Sequence, residues 1–151
     1  LSPPFAALDD PGFAGYHYPL IERFTVSTQS RVELVDITDR VRDVIRKSGA
    51  DSGICVVYVP HTTAGVAINE NADPSVGMDI NSVLSRLVPV RADYRHKEGN
   101  ADAHAKVALV GSSVTVLVDD GAPVLGTWQG IFLCEFDGPR TRNVLVKTIS
   151  E

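Results

Sequence analysis

A chain of 151 residues has the length of one domain, enough to bury about two-thirds of its unfolded surface in a single core. Its formal net charge of -5 and sequence pI near 5.3 speak against a nucleic-acid binder, which carries a basic excess, so any phosphate site has to be local. No apolar run approaches the ~20 residues of a membrane span and no signal-peptide pattern opens the chain, which leaves a cytoplasmic protein as the default expectation.

The opening, residues 1–20, is rich in proline and glycine, begins without methionine, and reads as a trimmed end or an irregular arm. His17, between Tyr16 and Tyr18, reads as a surface or packing residue. The domain is expected over residues 21–151. Phe24-x-Val26 and Val32-x-Leu34 predict two short strands around the polar run Ser27-Thr28-Gln29-Ser30. Thr38 is placed to cap a helix whose Val41, Val44 and Ile45 share one face and which stops at Gly49. Ile54 to Val59 is a continuous, β-branched apolar run, hence a buried strand. Pro60-His61-Thr62-Thr63-Ala64-Gly65 follows it, then a strand over Val66 to Ile68 that runs into Asn69-Glu70-Asn71. Asp73 and Pro74 form a cap and first-turn pair for a helix whose Val76, Ile80, Val83, Leu84 and Leu87 repeat at helical spacing and are expected in the core. Strands are further expected over Ser113 to Val118, Gly130 to Phe136 and Asn143 to Ile149, with a turn at Asp119-Asp120-Gly121. Strands in runs with about three inserted helices point to a single-domain α+β fold with largely antiparallel sheet. Cys55 and Cys134 lie in apolar runs and read as small buried hydrophobes.

The stretch from Tyr94 to Lys106 carries the densest chemistry. Asn100 is a good N-cap, Ala101 to Val110 favour helix and Gly111 is placed to end it, which puts His104 in the first full turn. Gly99 allows the loop before it to reverse, so His96 can fold back beside His104.

Three constellations follow. His61, His96 and His104 can supply three neutral nitrogen ligands to zinc or a similar divalent metal, leaving a fourth corner for water or substrate. Separate histidines are also common as cap or surface residues. Glu70, Glu98 and Asp102 are available to hold the outer ring nitrogens, and Glu70 and Asp102 are the carboxylates expected to serve catalysis in this way. An anion site can draw on the hydroxyls of Thr62 and Thr63, on the free N–H groups at the start of the His104 helix, and on Arg95, Lys106 and Arg140. Arg140 sits in the tight turn Asp137-Gly138-Pro139-Arg140, where it can grip an anion or instead clamp Asp137 or Glu135. Gly126-Thr127-Trp128-Gln129-Gly130 offers Trp128 as a flat wall for a ring, or as packing around a bulge. Ser112-Ser113 lacks the glycines of a nucleophile elbow.

Pro60-His61-Thr62-Thr63-Ala64, the segment Asn69 to Pro74, Tyr94-Arg95-His96 through Gly99 to His104, and Gly126-Thr127-Trp128-Gln129 followed by Cys134 to Arg140 together resemble the YjbQ-like family, named secondary thiamine-phosphate synthase enzyme. The likeness runs from about Ile21 to the C-terminus. It implies a compact α+β domain, a homotrimer, a metal site at His61, His96 and His104, and a weak ability to make thiamine phosphate. As such an enzyme the chain would join a pyrimidine diphosphate to a thiazole phosphate, with the metal, Arg140 and Lys106 on the departing diphosphate and Trp128 against a ring. Diphosphate departure ordinarily uses Mg²⁺ on carboxylates, whereas a three-histidine site suits zinc-like ions and hydrolysis of a phosphate ester, which keeps a metal-dependent hydrolase open. A non-catalytic module that binds a phosphorylated metabolite or a metal is the alternative from outside enzymology.

Overall fold

A computed structural model describes residues 21–150; the expected arm and His17 lie outside the described residues. The order of elements is β1 (Glu22–Ser27), β2 (Glu33–Asp36), α1 (Thr38–Ser48), β3 (Gly53–Tyr58), β4 (Ala64–Glu70), α2 (Pro74–Leu87), α3 (Ala101–Val110), β5 (Ser113–Asp119), β6 (Ala122–Pro123), β7 (Gln129–Glu135) and β8 (Thr141–Ser150). Every strand pair is antiparallel, in a five-stranded sheet ordered β1-β8-β3-β5-β6 and a three-stranded sheet ordered β2-β7-β4. This is the expected single-domain α+β architecture.

Alternation along the strands builds the core, because every second side chain faces the same way. Cys55 and Val57 of β3, Val144 and Val146 of β8, and Val116 and Val118 of β5 form the inner face of the large sheet. Ala64 and Val66 of β4 with Ile131 and Leu133 of β7 form that of the small one. The α1 residues Val41, Val44 and Ile45 join the same cluster, as their spacing predicts. The outward residues of β7, Phe132 and Cys134, meet a second cluster with Ala103 and Val107 of α3 and Leu84 of α2. Both cysteines are buried, and burial pushes their thiols up to about 11 for Cys55 and about 12 for Cys134, so both stay protonated and apolar.

Several local expectations are corrected. Thr38 is not the cap of α1 but its first residue; its hydroxyl accepts the Ile131 N–H at 2.9 Å, tying the helix to β7. Asp36 takes over the helix start by accepting the Thr38 N–H at 2.9 Å. Asn100 stands at the N-cap position of α3 without making a side-chain cap bond. Asp73 caps α2 as expected, accepting the Ser75 N–H at 2.9 Å. However, α2 buries none of its residues, and Val83 and Leu87 are 44% and 68% exposed. Helical spacing reveals an apolar stripe, not what covers it. β6 has two residues, too few to show a period, and is absent from the expected elements.

Candidate functional site

The inner rows of the sandwich do not end in hydrocarbon. Continuing the alternation, β7 follows Leu133 with Glu135, β8 precedes Val144 with Arg142, and β1 follows Val26 with Thr28. All three are buried, so one end of the core closes on a polar layer. Arg142 donates from Nε to Glu135 Oε2 at 2.8 Å and from Nη2 to Glu135 Oε1 and to Thr63 Oγ1, the last at 2.8 Å. Thr28 donates to Oε2 at 3.0 Å, and the Phe136 and Asp137 N–H groups donate to Oε1 at 3.0 and 2.9 Å. Burial pushes the Glu135 carboxyl up, but Arg142 and these donors outweigh it and hold the group below the usual carboxylate range.

His61 follows β3 just past Val59, where its backbone N–H closes a tight turn onto Val59 O at 2.9 Å. Its Nε2 accepts the backbone N–H of Asn143 at 2.8 Å. Burial lowers its affinity for a proton and the neighbouring Arg142 lowers it further, against an opposing pull from Glu135. The ring is therefore neutral.

The other two histidines meet across the loop and the start of α3, with ring centroids 5.2 Å apart and planes perpendicular. Asn100, freed from capping, holds His96 in place: its Oδ1 lies 3.1 Å from His96 Nε2 and its Nδ2 donates to Asp137 Oδ2 at 2.9 Å. Asp137 also receives Arg140, from Nη2 at 2.9 Å on the carboxylate and from Nε at 2.7 Å on the backbone carbonyl. The turn carrying Arg140 has a cis Gly138–Pro139 peptide and is tied to β1, since Arg140 N donates to Thr28 Oγ1 at 2.8 Å. Thr28 thus links the Glu135–Arg142 layer to the Arg140 turn.

A family model described as UPF0047 protein YjbQ-like matches residues 22–151. The chain belongs to this YjbQ-like family. Among its relatives, the UPF0047 protein of Methanocaldococcus jannaschii is 53% identical over 87% of this chain and 96% of its own length. The UPF0047 protein YugU of Bacillus subtilis is 45% identical over 85% of this chain and 98% of its own. A crystal structure of an uncharacterised YjbQ/UPF0047 protein from Clostridium acetobutylicum superposes with a TM-score of 0.84 at 47% identity, covering 85% of this chain and 99% of that one. One of a protein of unknown function from Sulfolobus solfataricus gives 0.85 at 36% identity, covering 89% and 99%.

In this YjbQ-like chain the expected site residues divide into three groups. His61, Thr62, His96, His104 and Arg140 lie on elements that converge on the Glu135 end of the sandwich. Among the described residues, however, no three His, Cys, Asp or Glu side chains gather as a metal-holding group. The described residues of one chain thus do not assemble the expected three-histidine centre, and the Nε2 lone pair of His61 is engaged by β8. Arg140 forms the clamp with Asp137, yet its side chain remains 53% exposed and can still present a guanidinium edge. Arg95 is exposed beside His96.

Asp102, Lys106 and Thr63 belong to the scaffold instead. Spacing of i, i+4 puts Asp102 and Lys106 on one face of α3, and both are fully buried with Nζ 2.8 Å from Oδ2. Arg31, from the connection between β1 and β2, closes the other side with contacts of 2.8 and 3.1 Å. Burial raises the Asp102 carboxyl, but Arg31 and Lys106 prevail and its pKa falls to about 2. A carboxylate held this way cannot orient an imidazole, and a fully buried ammonium cannot meet a ligand. Nothing in the sequence around Arg31 announced it as the third member. Thr63 is likewise buried, its hydroxyl accepting from Arg142.

Glu70 and Trp128 form the third group. Glu70 pairs with Gln129 and Ala64 with Glu135, so Glu70 and the histidine end are separated by most of β7, roughly 20 Å at ~3.3 Å per residue. Glu70 lines a groove of about 300 Å³ beside α2, and Trp128 an adjoining one of about 350 Å³. Asp36 and Asn71 line both, joined by a 2.8 Å hydrogen bond. Glu70 therefore serves none of His61, His96 and His104 of its own chain.

Proposed function

We propose that this YjbQ-like chain is an enzyme that binds a phosphorylated small metabolite at its histidine-bearing end, works in the cytoplasm, and assembles as a homotrimer. The carrying observation is the His96–His104 pair held beside Arg140 by Asn100 and Asp137. In a chain of net charge -5, the exposed Arg95, next to His96 in the chain, and the half-exposed Arg140 are the cations a phosphate would meet at this end.

The reaction proposed is the one the family's name implies. The thiazole nitrogen attacks the pyrimidine methylene, a C–N bond forms, the C–O bond to diphosphate breaks, and the diphosphate leaves with the electron pair. Arg140 and Arg95 would bind the anionic oxygens, and an imidazole would donate a hydrogen bond as charge builds on the leaving group. The two facing imidazoles also favour a second reading, metal-dependent hydrolysis of a phosphorylated metabolite with a zinc-like ion. The described residues of one chain do not complete that ligand set, so this reading calls for a third donor beyond them.

Protein purified without a histidine tag or chelators, assayed for thiamine phosphate formation before and after metal loading, tests the first reading. Condensation lost on His96→Ala and weakened on Arg140→Lys supports it. Phosphate release from simple esters, dependent on stoichiometric metal, favours the hydrolase. Binding without turnover under any metal leaves a metabolite-binding module.

A further inference from the structure

We infer that His61 is not a metal ligand but a neutral hydrogen-bond donor, its tautomer fixed by the backbone of β8 and its Nδ1–H offered to an acceptor oxygen of the bound ligand. The inference deepens the reading above, on which it depends for the nature of that ligand.

A backbone amide has one protonation state and can only donate. The Asn143 N–H at 2.8 Å therefore requires a lone pair on His61 Nε2, which places the ring proton on Nδ1. Coordination through Nε2 would displace this bond and leave a part-buried amide without a partner. Coordination through Nδ1 would either move its proton to Nε2, against the Asn143 N–H, or remove it to give an imidazolate. Protonating Nε2 would set two donors against each other, beside the Arg142 guanidinium of the same strand; the opposing charge is Glu135 of β7, already held by Arg142. Both remaining states of the ring are thus disfavoured, in agreement with the lowered pKa.

The donor is also available. The residue is only partly buried, and among the described residues Nδ1 has no hydrogen-bond partner, whereas Nε2 and the backbone N–H, which donates to Val59 O at 2.9 Å, are satisfied. An imidazole whose acceptor side is fixed by backbone is restricted to one role: it gives a hydrogen bond without carrying charge. That suits an oxygen whose negative charge is shared with Arg140, and it separates His61 from His96, whose Nε2 meets the side chains of Asn100 and Glu98.

Long-range imidazole proton–nitrogen correlation spectra of the ¹⁵N-labelled full chain, assigned with His61→Gln, read the tautomer directly. The expected result is an Nδ1-protonated pattern for His61 at neutral pH that stays unchanged when Zn²⁺ is added, while any metal response falls on His96 and His104. An Nε2-protonated or charged ring, or loss of the pattern on Zn²⁺ addition, overturns the inference. Calorimetry with inorganic pyrophosphate supplies the second arm: His61→Gln should weaken binding by roughly tenfold or more, as expected for one hydrogen bond to a charged group, and leave Zn²⁺ affinity unaltered. Pyrophosphate binding equal to wild type would overturn the donor role. No pyrophosphate binding by wild type would defeat both the phosphate reading and the donor's assigned acceptor, while the tautomer and Zn²⁺ arms would still decide whether His61 is a ligand.

Discussion

Arg140 does two things with one guanidinium. Its Nε and one Nη2 contact fix the turn through Asp137, and its exposed remainder is oriented for an anion without further ordering. Lysine keeps the charge but cannot form the fork, so Arg140→Lys should weaken phosphorylated ligands by about 1–3 kcal/mol. Melting temperature and affinity measured on the same protein separate the roles; lowered stability with unchanged affinity would leave only the clamp. Asp102 carries the opposite kind of importance. Replacing it with Ala strands the buried Lys106, which should cost ~3–5 kcal/mol in urea unfolding. Its folded pKa of about 2 lies below the ordinary 3.8, so the stability it contributes is complete above the ordinary value and is lost as pH falls through about 2. Glu135 and Asp137 are shifted the same way and add to this acid sensitivity. Urea titrations from neutral pH downward should show midpoints falling most steeply below pH ~4, and the Asp102→Ala protein should show a shallower fall.

At the scale of elements, alternation and helical spacing were legible, since period two and period 3.6 follow from side-chain direction alone. They place Val41, Val44 and Ile45 correctly, and they find seven of the strands to within a few residues. The same alternation runs through Leu133 and Glu135 and through Val144 and Arg142, so part of the site was written in the pattern. What was illegible is what depends on distant partners. β1 and β2 look alike in sequence but enter different sheets, and Thr38 looks like a cap until Ile131 N–H claims its hydroxyl. Asp102 and Lys106 look like site chemistry until Arg31 completes a buried triad. Asp73 is a local feature and behaves as one. Asp73→Ala should weaken the start of α2, measurable as a lower urea midpoint with the circular dichroism spectrum otherwise retained.

For the whole molecule, the exposed stripe of α2, with Val83 at 44% and Leu87 at 68%, is the surface that the proposed homotrimer has reason to cover. Light scattering at micromolar concentration should give a mass near three chains of 16.2 kDa. A fully active monomer would refute the assembly. Near the histidine end of β4 stands Gly65, buried, where a Cβ would run into the backbone carbonyl of Gly111 at the C-terminus of α3. That carbonyl also accepts the Val66 N–H at 3.1 Å, so β4 and the end of α3 approach here with no slack. Gly65 therefore acts as a calibrated spacer. One added methyl should tilt α3 about this contact and displace His104 at its far end, moving the His104 ring resonances and weakening ligand in Gly65→Ala while the helix content stays near wild type. The alignment of the histidine pair is thus set by the absence of a side chain on a strand that never touches it.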